Sequence, residues 1–216
     1  MSTAQAFVQQ ASLGAGAEGT DVALKRSKQG ALVVIDFYTQ MIMEGRGFQL
    51  RMGTISVPTI GDVAITTTAA EASVDPATGW TVLPCYLNVS INLGTGTDQE
   101  IHLKSVATAA AAAAATAFAP LPLYLGGAAS AVQARATAAG GVTVPADAAT
   151  TTRRHWQFGS PVAVGAGNEP GALVYQPLRP PVIKGPAQLY FQAASIDAGP
   201  SYYMNLDWIE LPSAAI

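Results

Sequence analysis

The sequence predicts an all-β protein: an antiparallel, jelly-roll-like β-sandwich with an extended N-terminal arm. Short runs of β-branched and aromatic residues recur along the chain, separated by turns rich in Gly, Pro and Thr. Two of these runs, near 80–93 and 202–211, alternate apolar and polar residues with period two, which makes one face of a sheet apolar. The chain shows neither an internal repeat nor the regular strand–helix alternation that builds parallel sheets.

Composition narrows the class. Of 216 residues, 12% are charged, 50% apolar and 7% aromatic, and 41 are alanine. The charge is about half the usual share. The apolar content is too high for a disordered chain. A net charge of -3 gives no basic footprint for sequence-specific nucleic-acid binding. With one cysteine, Cys85, the chain forms no intrachain disulfide and no thiolate metal cluster. So few charges leave a surface of Thr, Ser, Ala, Gln and Gly, or a surface covered by a neighbour. A subunit of a large assembly tolerates this, because interface cores are depleted in charge. Secreted β-sandwich modules share the composition.

Residues 1–30 read as an arm and linker. Apolar residues are sparse after Phe7 and Val8, glycines punctuate, and Lys25, Arg26 and Lys28 give the arm a basic end suited to an acidic partner surface. A frayed terminus is the plainer reading. The N-terminus has no basic n-region and no strong apolar h-region, so no secretory signal peptide is expected. The body runs over 31–216. Residues 32–38 are predicted as a strand, Glu44-Gly45-Arg46-Gly47 as a turn, and 48–52 and 54–57 as strand material ended by Pro58. Strands are expected at 63–68 and 72–74, with a turn at Asp75-Pro76-Ala77-Thr78-Gly79.

The strongest local pattern follows. Leu87, Val89, Ile91 and Leu93 alternate with Asn88, Ser90 and Asn92, then 94–98 turns, and 100–106 returns with Ile101 and Leu103 against His102 and Lys104. This predicts a hairpin. A second hairpin is predicted from 187–194 and 202–211, where Met204, Leu206 and Trp208 alternate with Tyr203, Asn205, Asp207 and Ile209.

Between the hairpins, 105–134 carries no charge. Its length spans a bilayer, but the alanine run 109–115 is weakly hydrophobic, and Pro120, Pro122 and Gly126-Gly127 interrupt it. It is read as buried in the fold or against a neighbour, with no membrane partner. The alanine run fits a helix or a strand equally. Residues 121–125 read as a short edge strand in which Leu121, Leu123 and Tyr124 are candidate contact residues, and 128–138 as helix or strand. Strands are also expected at 153–158, 172–176 and 181–183.

Catalytic patterns are thin. No H-E-x-x-H, G-x-S-x-G or P-loop is present. His102 and His155 lie on the polar sides of their strands, as solvent-facing or interface residues. Asp207 and Glu210 are at odd separation and face opposite sides. Residues 94–100 lack the dense carboxylates of a calcium loop. Cys85 reads as a small buried hydrophobe. No enzyme activity, cofactor or metal is expected. Arg153-Arg154-His155-Trp156 concentrates basic and aromatic character; Arg153 and His155 are candidate binding residues, and the alternative is a strand with Trp156 in the core. Tyr202, Tyr203 and Trp208 suit either a sugar platform or core packing.

The arm, the low-charge Thr/Ala/Gly-rich body and the closing segments Gly185-Pro186-Ala187-Gln188-Leu189-Tyr190-Phe191 and Gly199-Pro200-Ser201-Tyr202-Tyr203 together resemble a bacteriophage virion protein of jelly-roll or β-sandwich type. Capsid decoration (cement) proteins and tail components are the nearest examples. The resemblance covers 31–211 in style and carries no site residues. It implies a non-enzymatic, often trimeric subunit that clasps neighbouring capsid subunits, located in the virion and assembled in the host cytoplasm. A carbohydrate-binding lectin-like module, or a tail or spike receptor-binding component, is the alternative.

Overall fold

A computed structural model describes residues 36–93, 99–108, 116–137, 141–146, 148, 150–160, 172–196 and 199–215. The predicted arm, with Lys25, Arg26 and Lys28, the 94–98 loop and the alanine run 109–115 lie outside the described residues.

Helix α1 (Phe37–Met43) comes first. The strands follow as β1 (Gly47–Met52), β2 (Thr59–Ile60), β3 (Ala69–Ala70), β4 (Ala72–Asp75), β5 (Trp80–Leu93), β6 (Gln99–Val106), β7 (Thr116–Phe118) and β8 (Leu121–Pro122). They continue as β9 (Gln133–Ala136), β10 (Val142–Thr143), β11 (Thr152–Ser160), β12 (Leu173–Tyr175), β13 (Ile183–Lys184), β14 (Gln188–Ser195) and β15 (Ser201–Pro212). Sheet I has the order β12-β5-β15-β1-β8, with β13 also beside β5 and β2 beside β15. Sheet II has the order β11-β6-β14-β4-β9-β7. The two antiparallel sheets pack as a sandwich, as expected.

Neither predicted hairpin forms. β5 lies in sheet I and β6 in sheet II; β14 lies in sheet II and β15 in sheet I. Each strand pair is an arch that carries the chain across the sandwich, and the two arches nest. β5 pairs with β15 from Trp80↔Pro212 to Leu93↔Ser201, and β6 with β14 from Gln99↔Ser195 to Val106↔Gln188. Alternation specifies an apolar face, and a hairpin and an arch both bury that face. Length separates them. The 14-residue β5 is matched by the 12-residue β15, and the 8-residue β6 by the 8-residue β14.

The core fills the space between the sheets. Leu50, Leu87, Val89, Met204, Leu206 and Trp208 point in from sheet I, and Val74, Ile101, Leu103, Leu189 and Phe191 from sheet II. This is the face that alternation in β5, β6 and β15 predicted. Two smaller clusters cover the outer faces. α1 lays Met41 over Leu83, Ile209 and Leu211 outside sheet I. The ribbon of β3 and β10 lays Ala70 and Val142, with Val144, over Val106 and Tyr190 outside sheet II.

Three local predictions are corrected. Of 32–38, the described part starts an α-helix, not a strand: the Asp36 side chain caps it by accepting from the Thr39 N–H at 3.0 Å. Residues 54–57 form a turn closed by the Thr54 N–H to the Val57 carbonyl at 2.8 Å, after Gly53 leaves β1 at φ +65°. Residues 63–68 are irregular, because the buried Gln192 amide takes the Thr66 and Ala69 carbonyls that a ladder would need, at 2.7 and 2.6 Å. The turn at 75–79 forms as predicted, with Gly79 at φ +92°. Of 121–125 only Leu121 and Pro122 pair, against β1. In 128–138 the strand is β9.

Candidate interaction surfaces

The nesting of the arches places β12 and β11 along one side of the sandwich and β8 along the other. The β11 side carries the basic-aromatic cluster. β11 pairs with β6, and the register shifts between Arg154 and Trp156, leaving His155 as the extra residue of a bulge. The bulge sets the two sides of the cluster. Arg154 lies opposite Lys104, on the outer face, whereas Trp156 lies opposite Leu103 and packs against the core. Its ring sits 6.4 Å from that of Tyr175 on β12, closing the side of the sandwich.

His155 is half-buried, and Nε2 lies 2.7 Å from the Ser105 hydroxyl. Burial, then the Arg153 charge, pulls its pKa below the usual histidine range. A neutral ring results near pH 7, so the exposed charged side chains of β11 among the described residues are Arg153 and Arg154. The Arg154 guanidinium donates to the Gln157 side chain at 2.5 Å. Arg153 and His155 are therefore brought together, but with different roles: an exposed cation and a structural ring.

The opposite side carries Leu121, Leu123 and Tyr124. The Leu123 N–H donates to the Gly47 carbonyl at 2.9 Å, and its side chain, with Ile42 of α1, crowds the space above Gly47. Leu123 is an anchor. Leu121 and Tyr124 project, and the next residue, Leu125, is 92% exposed. Met43, at the end of α1, is exposed at the same end of the body. The two candidate surfaces are thus on opposite sides of the sandwich.

A third surface was not singled out from sequence. Ile55, Val57, Ile60 and Val63 are exposed around β2, and Ile196 follows the end of β14. Asp62 bridges to Ala194 and β2 pairs with the start of β15, which gathers these residues at the tip where the arches turn. In sequence Ile55, Val57 and Val63 read as strand material, because apolar residues spaced by Thr, Ser and Pro have the same pattern in a half-buried strand and in an exposed loop.

Other candidates resolve differently. Tyr202 and Trp208 are fully buried, so the sugar platform is overturned in favour of core packing. His102 is not solvent-facing: it is 2% exposed opposite Gln192 of β14, and burial, followed by the Lys104 charge, pulls its pKa down to about 4. Its Nε2 lies 2.6 Å from a Glu100 carboxylate oxygen. Asp207 and Glu210 do face opposite ways: Asp207 accepts from Gln49 at 2.7 Å, and Glu210 accepts from the Trp208 indole at 2.9 Å and the Ala131 N–H at 3.0 Å. Cys85 lies on β5, half-buried, where burial pushes its thiol up to about 12.

Among the described residues, no group of three or more His, Cys, Asp and Glu side chains is placed to hold a metal, and no helix is long and apolar enough to cross a membrane. Comparison of the chain with protein-family models, with curated proteins and with solved structures gave no match.

Proposed function

We propose that this chain is a non-enzymatic structural subunit of a virion, in a capsid, decoration or cement role, assembling with copies of itself as a trimer and with neighbouring capsid subunits. The observation that carries the reading is the pair of unlike sides. One presents Leu121, Tyr124 and Leu125, and the other presents Arg153 and Arg154 beside Trp156. Unlike surfaces on opposite sides make head-to-tail contacts, which close into rings when the rotation permits. Arginine over an aromatic ring adds a cation–π term to such a contact. The charge deficit supports the same reading, since a covered surface needs few charges.

Multi-angle light scattering of the purified chain tests it. A trimer that Leu121→Asp with Tyr124→Asp converts to monomer supports the reading. A strict monomer at high concentration counts against it.

The second reading is a lectin-like or receptor-binding module, favoured by the tilted Trp156–Tyr175 pair beside two arginines. Specific glycan-array binding that Trp156→Ala abolishes with the fold intact would select it.

A further inference from the structure

The outer face of sheet I divides in two. Over one part lies α1, packed on Leu83, Ile209 and Leu211. The other part is a set of polar rows that run across the strands. Arg51 on β1 lies opposite Asn205 on β15, and Asn205 lies opposite Asn88 on β5. Gln49, Asp207 and Tyr86 form the next row in the same strand order. These side chains point outward because their chain neighbours Leu50, Leu206 and Leu87 fill the core, and successive strand residues face opposite ways. The alternation that buries Tyr202 and Met204 turns Tyr203 to the same outer face. Arg51 is exposed and the other members are partly so. Side chains directly opposite each other lie within about 5.5 Å, close enough to act on one ligand together.

Charge and polarity decide what such a face can hold. The Arg51 and Asp207 charges, in adjacent rows, offset each other, so the face attracts neither a polyanion nor a polycation. Among the described residues of these rows the only aliphatic is Val174, opposite Asn88 at the β12 end, which is too little to anchor a protein partner. What the face offers is a neutral array of amides and phenols with one guanidinium and one carboxylate, all partners for hydroxyl groups. The two tyrosine rings add flat apolar surface with a polar end, suited to the C–H face of a sugar ring. The array is only partly spent on itself. Gln49 donates to Asp207 at 2.7 Å, but the Asn88 carboxamide oxygen is shielded and has no hydrogen-bond partner. An acceptor in that state costs free energy that an incoming donor relieves.

We propose that this part of sheet I binds a neutral polysaccharide laid across β1, β15 and β5. Arg51, Asn205 and Asn88 share the hydroxyls of one sugar ring, and Tyr86 and Tyr203, in the rows on either side, flank it. The Asn88 amide turns on binding and gives its oxygen to a hydroxyl. With β12 the strands span about 14 Å at the usual inter-strand spacing, wider than one ring, so a polymer binds better than a monosaccharide. The site requires no trimer and is separate from the Trp156 side.

Affinity electrophoresis of the full chain tests this, in native gels that each contain dextran, amylopectin, laminarin, galactomannan or xyloglucan. The expected result is retardation in at least one gel, with the affinity lowered at least tenfold by Arg51→Ala with Asn205→Ala and unchanged by Trp156→Ala. Migration unaffected in every gel, or retardation that the double variant keeps, overturns the proposal. Retardation lost in Trp156→Ala overturns it in favour of the lectin-like reading of that side. NMR of the wild-type chain needs no variant. An oligosaccharide of the retarding polymer should shift the side-chain amides of Gln49, Asn88 and Asn205, and shifts centred on the Trp156 indole instead overturn the proposal.

Discussion

The Ser105 hydroxyl and the His155 ring meet at 2.7 Å at the register shift between β6 and β11. The bond ties the bulge to its partner strand where the backbone ladder is interrupted. Ser105→Ala should cost about 1 kcal/mol, the net worth of one hydrogen bond, measured by urea unfolding at pH 7.5, where the ring is neutral.

His102 governs an acid limb. Burial first, then Lys104, brings its folded-state pKa down to about 4. The unfolded chain takes up the proton near the ordinary histidine value, so stability from this site is present above that value and is lost as pH falls toward 4. His102→Gln should flatten the urea midpoint between pH 6.5 and pH 4.

Trp208 is fully buried in the main core, and its indole donates to Glu210. Trp208→Ala should cost about 3–5 kcal/mol through lost burial and a cavity. Trp208→Phe keeps most of the volume but withdraws one donor from a buried carboxylate, at about 1–3 kcal/mol. Thermal and urea unfolding of both variants separate the packing cost from the polar cost.

β11 is the outermost strand of sheet II, and Arg153, Arg154 and the bulge all blunt its edge. Replacing both arginines with valine should leave the fold intact and raise aggregation several-fold, followed by light scattering against time.

Gly61→Ala should destabilise by about 1–3 kcal/mol, because the added methyl meets the Ala193 backbone, which cannot move aside as a side chain would. Exchange protection at Asp62 and Ser195 should fall more than protection in β5.

The residues that the sequence read correctly share one property. Leu87, Val89 and Ile91 in β5, and Met204, Leu206 and Trp208 in β15, point inward because successive side chains on a strand alternate, whatever the strand pairs with. The turn at Gly79 was legible for a similar local reason. The helix at Phe37–Met43 was missed although Asp36, three residues before Thr39, is a capping signal; the apolar run before it outweighed the cap. The candidate surfaces were half legible. Arg153 is exposed on β11, and Leu121 and Tyr124, read as part of a segment buried in the fold or against a neighbour, are exposed in this chain; the depth of His102 and the exposed tip around Ile55 and Val57 were not legible.

By itself, then, the amino-acid order determined an all-β chain, the inward faces of its long strands and several turns, all consequences of backbone geometry within a few residues. Only the tertiary structure decided that β5 and β6, and β14 and β15, are arches rather than hairpins, and that His102 is buried. The reason is physical. Alternation tells a strand which face to hide but not from which partner, and the burial of a polar side chain is set by distant segments that close over it.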